Sequence, residues 1–131
     1  MAFLRIDPSG AGPVFQQIVD HVKRAIATAQ LDPEDRLPSV RELAKELVIN
    51  PNTIARAYQV LDAEGITYSR RGAGTFIAAH KPVVKGEERR RRFREAIEAA
   101  LADAFHTGVS EEEARRAFDA ALKRFRFQEE R

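Results

Sequence analysis

Side chains that can hydrogen-bond to the bases and phosphates of a nucleic acid recur at helical spacing between residues 50 and 63. Asn52, Arg56 and Gln59 fall on one side of a helix with 3.6 residues per turn. Amide side chains match the edge of adenine and guanidinium groups match guanine, so this row could read a major groove. Considered alone, the row is also what a solvated helix face would show. The other side carries residues expected in the core: Ile54, Ala57, Tyr58 and Leu61.

A second group with this chemistry lies in a short loop that contains Arg70, Arg71, Gly72 and Gly74. Residues 66–70 alternate apolar and polar types, as a half-buried strand does, and residues 75–78 supply a returning strand. Glycines permit positive φ and a close approach to another backbone. The loop could therefore place its two positive charges against phosphates or in a minor groove. We interpret it as the wing of a DNA-binding module.

The elements that must position these groups are two short helices joined by a tight turn. Ser39 can cap the first of them, with Glu42 three residues later completing a capping box. Asn50 and Pro51 are typical of the N-cap and first position of the second helix, which ends at Gly65. Only two or three residues separate the two helices. With an earlier helix at about 13–29, this pattern predicts a winged helix-turn-helix over residues 1–79, in which residues 3–6 could add a short strand or pack against a partner.

The remainder predicts a linker over 80–86 and two amphipathic helices within 87–131. The first runs from about Glu87 to His106 and is stopped by Gly108, and the second is capped by Ser110. Two such helices cannot bury their apolar stripes alone, and a second copy of the chain is the most economical cover. We therefore expect a mainly α protein with a small β wing and a C-terminal helical hairpin that forms a homodimer. The expected dimerisation residues are Phe93, Ile97, Leu101, Phe105, Phe118, Leu122 and Phe125.

Composition excludes several classes of function. The three histidines are far apart and there is no cysteine, so no metal site is expected. The wing glycines match no dinucleotide or phosphate-loop fingerprint, and Ser39 lacks a His and acid partner, so neither a cofactor nor a catalytic residue is predicted. No apolar run approaches the roughly 20 residues that span a bilayer, which favours a cytoplasmic protein without membrane association. Residues 1–80 carry nine Lys or Arg and nine Asp or Glu, so DNA affinity must come from the placement of charges.

These motifs together resemble the signature of the GntR family of bacterial transcription regulators, from about residue 10 to residue 78. The 53 residues after Ala78 are too few for the large effector domains that most members carry, and a two-helix tail of this length resembles the YtrA subfamily. The segments that carry the resemblance are 13–18 (PVFQQI), 37–44 (LPSVRELA), 50–58 (NPNTIARAY), Leu61 with 64–66 (EGI), and 70–76 (RRGAGTF).

The resemblance implies a repressor that binds a palindromic double-stranded operator, with targets that include its own operon and neighbouring ABC transporter genes. It implies that Arg41 touches DNA at the start of the second helix, that Asn52 and Thr53 lie at the groove entrance, and that Arg71 and Gly72 act in the wing. The full expected DNA-contacting set is Arg36, Ser39, Arg41, Asn50, Asn52, Thr53, Arg56, Tyr58, Gln59, Arg70, Arg71, Gly72 and Gly74.

This sequence also departs from the family pattern. Ala55 replaces a base-reading arginine of other subfamilies and Pro51 a basic or polar residue, so the reading chemistry should differ. Ala29, Glu34 and Val48 occupy positions that are usually glycine. Because a β-branched residue with positive φ would cost roughly 1–2 kcal/mol, we expect the turn at Val48 to avoid that conformation.

Several alternatives stay open at the level of sequence. The arginines of residues 89–94 could grip flanking phosphates, but cations are disfavoured at a helix start and nearby glutamates are spaced to pair with them. A small-molecule effector could occupy an apolar gap near Phe93, Phe105 or Phe118, and the competing interpretation is a fully packed dimer core. For the whole chain, the alternatives are a non-specific architectural DNA-binding protein and a winged-helix protein-interaction module.

Overall fold

The computed structural model describes residues 10, 12–79 and 84–127, and it divides into two compact units. The predicted mainly α fold with a small β wing is confirmed. Residues 3–6 and residues 80–83 of the expected linker lie outside the described residues, so those predictions and the exact domain limits stay predictions. Gly86, assigned to the linker, is instead the first residue of α4. The elements are α1 (Val14–Ala27), α2 (Val40–Leu47), α3 (Pro51–Ala63), β1 (Thr67–Arg70), β2 (Gly74–Ile77), α4 (Gly86–His106) and α5 (Glu111–Arg124).

The first unit is organised around α3, against which α1, α2 and β1 all pack. Ile54 and Leu61 of α3 and Leu43 of α2 are fully buried. Burying each such side chain stabilises the fold by about 1.5–3 kcal/mol relative to leaving it exposed. The apolar side of α3 that was predicted from helical spacing is thus confirmed. The remaining core residues are Ile18, Val19, Val22, Ala25, Leu31, Leu37, Ala44, Ala57, Tyr58 and Ile77.

The caps predicted for α2 and α3 are both present. The Ser39 hydroxyl accepts the backbone N–H of Glu42 at 3.0 Å, and Asn50 Oδ1 accepts that of Asn52 at 2.9 Å. Pro51 occupies the first turn of α3, where no intrahelical N–H bond is lost. Three residues, 48–50, separate the two helices. The helix-turn-helix geometry is therefore fixed by local hydrogen bonds as well as by the core.

The expectation for Val48 was wrong, because its backbone is left-handed with φ +55° and ψ +52°. This conformation lets the backbone N–H groups of both Val48 and Ile49 donate to Ala44 O, which closes the end of α2. The Val48 side chain is 89% exposed, so packing does not offset the strain. Ala29 (φ +67°) and Glu34 (φ +71°), at the other two positions that are usually glycine, share this conformation.

Val48→Gly should stabilise the protein. Relief of roughly 1–2 kcal/mol of strain outweighs the backbone entropy that glycine loses on folding, about 0.5–1 kcal/mol. We expect the free energy of unfolding to rise by about 0.5–1 kcal/mol and the melting temperature by a few degrees, measured by urea and thermal denaturation. Val48→Ala is the matched control, because it shortens the exposed side chain but keeps the Cβ and its strain. An equal gain for both variants would assign the effect to the exposed valine and not to the backbone.

The second unit consists of α4 and α5, joined by a turn at residues 107–110. The Ser110 hydroxyl accepts the N–H of Glu113 at 3.1 Å, and Gly108 has φ +84°, so the predicted cap and stop are confirmed. Neither helix, each described along its whole length, contains a buried residue. The two helices therefore leave their apolar stripes open in a single chain. The most exposed large apolar residues on them and just beyond are Phe93, Leu101, Phe105, Phe118, Leu122 and Phe127.

Candidate nucleic-acid interface

The polar row of α3 faces away from the core, as its spacing predicts. Asn52, Arg56 and Gln59 are all exposed, and Thr53 is half-buried beside them. The Asn50 cap holds the backbone of Asn52 in the first turn of the helix. In helix-turn-helix proteins the N-terminal residues of the second helix meet the base edges. The amide of Asn52 therefore lies in the part of the helix that meets base edges in helix-turn-helix proteins.

Arg56 also contacts a residue of α1, which helical spacing within α3 does not reveal. Its guanidinium carbon lies 3.9 Å from the centroid of the Phe15 ring in α1. A guanidinium stacked on a ring face is held by a cation–π interaction of about 0.5–1 kcal/mol at an exposed site, and its N–H edges stay accessible. The structure thus places Arg56 against α1 rather than extended along α3. Phe15 was predicted only as an apolar residue of α1.

Tyr58 is a correction to the predicted DNA-contacting set. Its side chain is only 5% exposed, and its hydroxyl donates to the backbone oxygen of Pro38 at 2.8 Å. Burial raises the pKa of Tyr58, so the hydroxyl keeps the proton that it donates. A side chain enclosed in this way cannot reach a base or phosphate. Tyr58 instead fixes the start of α2 relative to α3.

The start of α2 presents a cation beside a capped helix end. Arg41 is exposed in the first turn of α2, and Ser39 is half-buried because its oxygen caps that turn. Helix N-termini attract phosphate through their unpaired N–H groups and dipole. Contact of Ser39 and Arg41 with phosphate therefore stays a prediction. Ser39 also caps α2, as its position in the sequence predicted.

The wing is a two-stranded antiparallel hairpin with the paired register Thr67↔Ile77 to Arg70↔Gly74. The N–H of Ala73 donates to Arg70 O at 3.0 Å, and Gly72 occupies the turn with φ +79°. Arg70 and Arg71 are both exposed at this tip. The predicted loop of exposed arginines between two strands is present.

A third segment joins the wing, and the sequence pattern did not predict it. Residues 34–37 run alongside β2, with Leu37 N–H donating to Thr75 O at 2.8 Å and Ile77 N–H to Asp35 O at 2.9 Å. Arg36 lies across Gly74, where an added Cβ would be 2.8 Å from the arginine Nε. Gly74 therefore permits this close approach. The contact ties Arg36, one of the predicted DNA-contacting residues, to the tip end of β2.

The burial pattern of β1 also differs from the prediction. Thr67, a polar residue, is only 3% exposed, whereas its apolar neighbours Ile66 and Tyr68 are half-buried. The Thr67 hydroxyl donates to Asp62 at the end of α3, which satisfies the buried oxygen. Tyr68 stacks on Phe76 on the other side of the sheet, with ring centroids 5.6 Å apart. In the sequence, the hydroxyl residues Thr67 and Ser69 at alternate positions of β1 are the feature that could have indicated a hydrogen bond to an acidic residue.

The arginines at residues 89–94 are mostly solvated in this unit. Arg91 pairs with Glu88 at 2.6 Å and with Glu95 at 3.4 Å. The hydrogen bond and charge of Arg91 lower the pKa of Glu88. No other arginine of the run forms an ion pair within the described ranges. Pairing with glutamate, foreseen from spacing, is thus seen for one residue of the run, and DNA contact by the others stays a prediction.

The described residues lack the groups that several other kinds of site require. The described part of the chain contains no cluster of His, Asp or Glu that could hold a metal ion. Of the helices described, none is long and apolar enough to cross a bilayer. The exposed side chains described above on α2, α3 and the wing include hydrogen-bond donors of the kind that contact bases and phosphates.

Known proteins show the same arrangement. Residues 15–77 match the family described as bacterial regulatory proteins, gntR family. The HTH-type transcriptional repressor YtrA of Bacillus subtilis (strain 168) is 36% identical over 106 residues, which cover 81% of this chain and 82% of that repressor.

Solved structures agree with the sequence relatives. A transcriptional antiterminator from Listeria monocytogenes EGD-e is 27% identical with a TM-score of 0.74, over 89% of this chain and 87% of that chain. AraR(DBD), solved in complex with operator ORX1, is 27% identical with a TM-score of 0.51, over 57% of this chain and 93% of that chain. The second comparison covers a smaller part of this chain than the first.

Proposed function

The chain belongs to the gntR family of bacterial regulatory proteins, and from that membership we propose that it is a sequence-specific repressor that binds a palindromic operator as a homodimer. Its relatives are regulators of transcription rather than enzymes. Repression would follow from occupancy of a promoter operator that blocks polymerase. The protein would act in the cytoplasm, where its DNA target is found.

The observation that carries this proposal is the exposed row of Asn52, Arg56 and Gln59 on a helix whose other side is fully buried. An amide and a guanidinium at the capped end of such a helix can discriminate adenine and guanine from other bases. A non-specific architectural protein needs only cations for phosphates, and residues 1–80 have no net excess of them. The donor chemistry therefore favours base reading.

The homodimer is supported by the second unit. Phe105 is 79% exposed and Phe93 58% exposed in the single chain, and α4 and α5 bury none of their residues. Large apolar stripes of this kind usually mark an interaction surface. A second copy that covers them would place two α3 helices in related positions, which suits a two-fold symmetric operator with half-sites about 10 base pairs apart or a multiple of that distance.

The remaining parts of the proposal rest on the resemblance to the YtrA subfamily and, for an effector, on the apolar residues of α4 and α5. By analogy with the YtrA subfamily, the targets would include the protein's own operon and ABC transporter genes. A small-molecule effector that acts at the apolar residues of α4 and α5 would control operator binding. A fully packed dimer core is the competing arrangement for those same residues.

Selection from randomised duplex DNA with the purified protein tests the proposal. Salt should be near-physiological, because non-specific binding falls steeply with ionic strength. We expect enrichment of one palindrome, which would also locate the target genes by operator search. DNA binding at low salt without enrichment would instead support an architectural protein. Absence of binding at any salt would support a protein-interaction module.

A further inference from the structure

One carboxylate connects α3 to both strands of the wing. Asp62, in the last turn of α3, accepts a hydrogen bond from the Thr67 hydroxyl and another from the Ser69 hydroxyl at 2.7 Å. The Ser69 oxygen lies 3.1 Å from Thr75 Oγ1 on β2. Both oxygens of the carboxylate are therefore engaged, Oδ1 with the Thr67 hydroxyl and Oδ2 with the Ser69 hydroxyl. We call Asp62, Thr67, Ser69 and Thr75 the wing clamp.

The clamp acts where the wing needs support. A two-stranded hairpin of four-residue strands is marginal by itself. Residues 34–37 hold the edge of β2 and accept a hydrogen bond from the Tyr68 hydroxyl of β1 at Glu34, while the hydroxyls of Thr67 and Ser69 form the polar link from β1 to α3. Hydrogen bonds to an ionised acceptor are stronger than those between neutral groups. Ser69 is followed directly by Arg70 and Arg71, so its position determines where the wing tip begins.

We propose that Asp62 is a positioning residue for DNA recognition: it fixes the wing arginines relative to the reading residues of α3 without touching DNA. This inference rests on the proposed DNA-binding function. A carboxylate that faced the DNA phosphates would weaken binding by repulsion. The Asp62 carboxylate instead faces β1, because it is hydrogen-bonded to the hydroxyls of Thr67 and Ser69. The residue thus contributes to affinity through Arg70 and Arg71.

The clamp has a conservative variant and a matched control. Asp62→Asn removes the charge, but its amide can still accept from one hydroxyl and donate to the other. Asp62→Ala removes both bonds. Glu64→Ala is the control, since Glu64 pairs with Lys23 of α1 at 2.9 Å, through an acid in the same part of the chain that does not touch the wing.

Binding to the selected operator should separate positioning from charge and from stability. We expect Asp62→Ala to weaken binding about five- to fiftyfold, within the range of coupled neighbouring residues, and Asp62→Asn to bind within about threefold of the parent. Adding Asp62→Ala to the double variant Arg70→Ala/Arg71→Ala should weaken binding little beyond that double variant alone. Additive effects, or tighter binding by Asp62→Ala, would overturn the proposal.

Hydrogen exchange of the free protein provides a readout that does not depend on DNA. Asp62→Ala should speed exchange of the wing amides, including the Ala73 and Ile77 N–H groups, while Glu64→Ala leaves them unchanged. Unchanged wing exchange in Asp62→Ala would overturn the clamp even if DNA binding is confirmed. If Asp62→Ala speeds wing exchange but the parent protein binds no DNA, the clamp remains a structural feature. Its role in recognition and the proposed function would then both be rejected.

Discussion

Leu101→Asp should prevent the proposed homodimer from forming and thereby remove high-affinity operator binding. Leu101 is half-exposed on the stripe of α4 that also contains Phe93 and Phe105. An uncompensated charge buried in an apolar contact costs about 3–5 kcal/mol, and a two-fold interface contains it twice. The dissociation constant of the dimer should rise more than about a hundredfold. Sedimentation velocity gives the mass, and operator titration gives the affinity.

The control for this experiment is Ala99→Asp. At 100° per residue, exposed Ala99 lies about 160° around α4 from Leu101, so the variant adds the same charge to the same helix without entering the stripe. It should stay dimeric and bind the operator as the parent does. Dissociation by both variants would indicate a general loss of helix stability, and a dimeric Leu101→Asp would exclude this stripe as the interface.

Asn52→Ala should remove most discrimination between the operator and other DNA. A bidentate contact to adenine contributes about 1–3 kcal/mol, and a dimer makes it twice, so operator affinity should fall roughly thirtyfold or more. Affinity for random DNA should not change, because that affinity comes from phosphate contacts. Fluorescence anisotropy with both DNAs over a range of salt concentrations separates the two effects.

Arg41→Ala provides the complementary pattern. The substitution should weaken binding to both DNAs, and the log–log salt slope should fall by about 0.9 for each phosphate that the variant no longer neutralises. Arg24→Ala is the matched control, since it removes an exposed arginine from the last turn of α1, outside the predicted interface.

If Asn52→Ala weakened binding to both DNAs equally, Asn52 would bind phosphate and base reading would have to come from elsewhere on α3.

Much of the fold could be predicted from sequence because its signals are local. Helical spacing in α3 predicts both the buried and the exposed side, since periodicity depends only on the geometry of one helix. Ser39, Asn50 and Ser110 cap within three residues of their own positions, so their roles could also be predicted. The wing could be predicted because two glycines lie between a segment that alternates apolar and polar residues and a second short strand.

The features that were not predicted involve residues distant in the chain. Phe15 meets Arg56 across 41 positions, and residues 34–37 pair with β2 across about 40. No periodicity in either segment contains that information. Val48 shows a different limit, because the backbone geometry needed to end α2 outweighs the preference of a β-branched residue. Helical spacing predicted the burial of Tyr58, and only its assignment to the DNA-contacting set was wrong, because its hydroxyl is used inside the fold by Pro38 O.

If Arg56 contacts the operator as proposed, its stacking on Phe15 gives α1 an influence on operator occupancy. An arginine side chain has about 2 kcal/mol of rotamer entropy, and a stacked guanidinium has already given up part of it when the protein folds. Less remains to be given up when DNA arrives. Changes at position 15 could therefore adjust how long the repressor stays on its operator while the preferred operator sequence stays the same. Regulatory strength and sequence preference could then evolve through different helices.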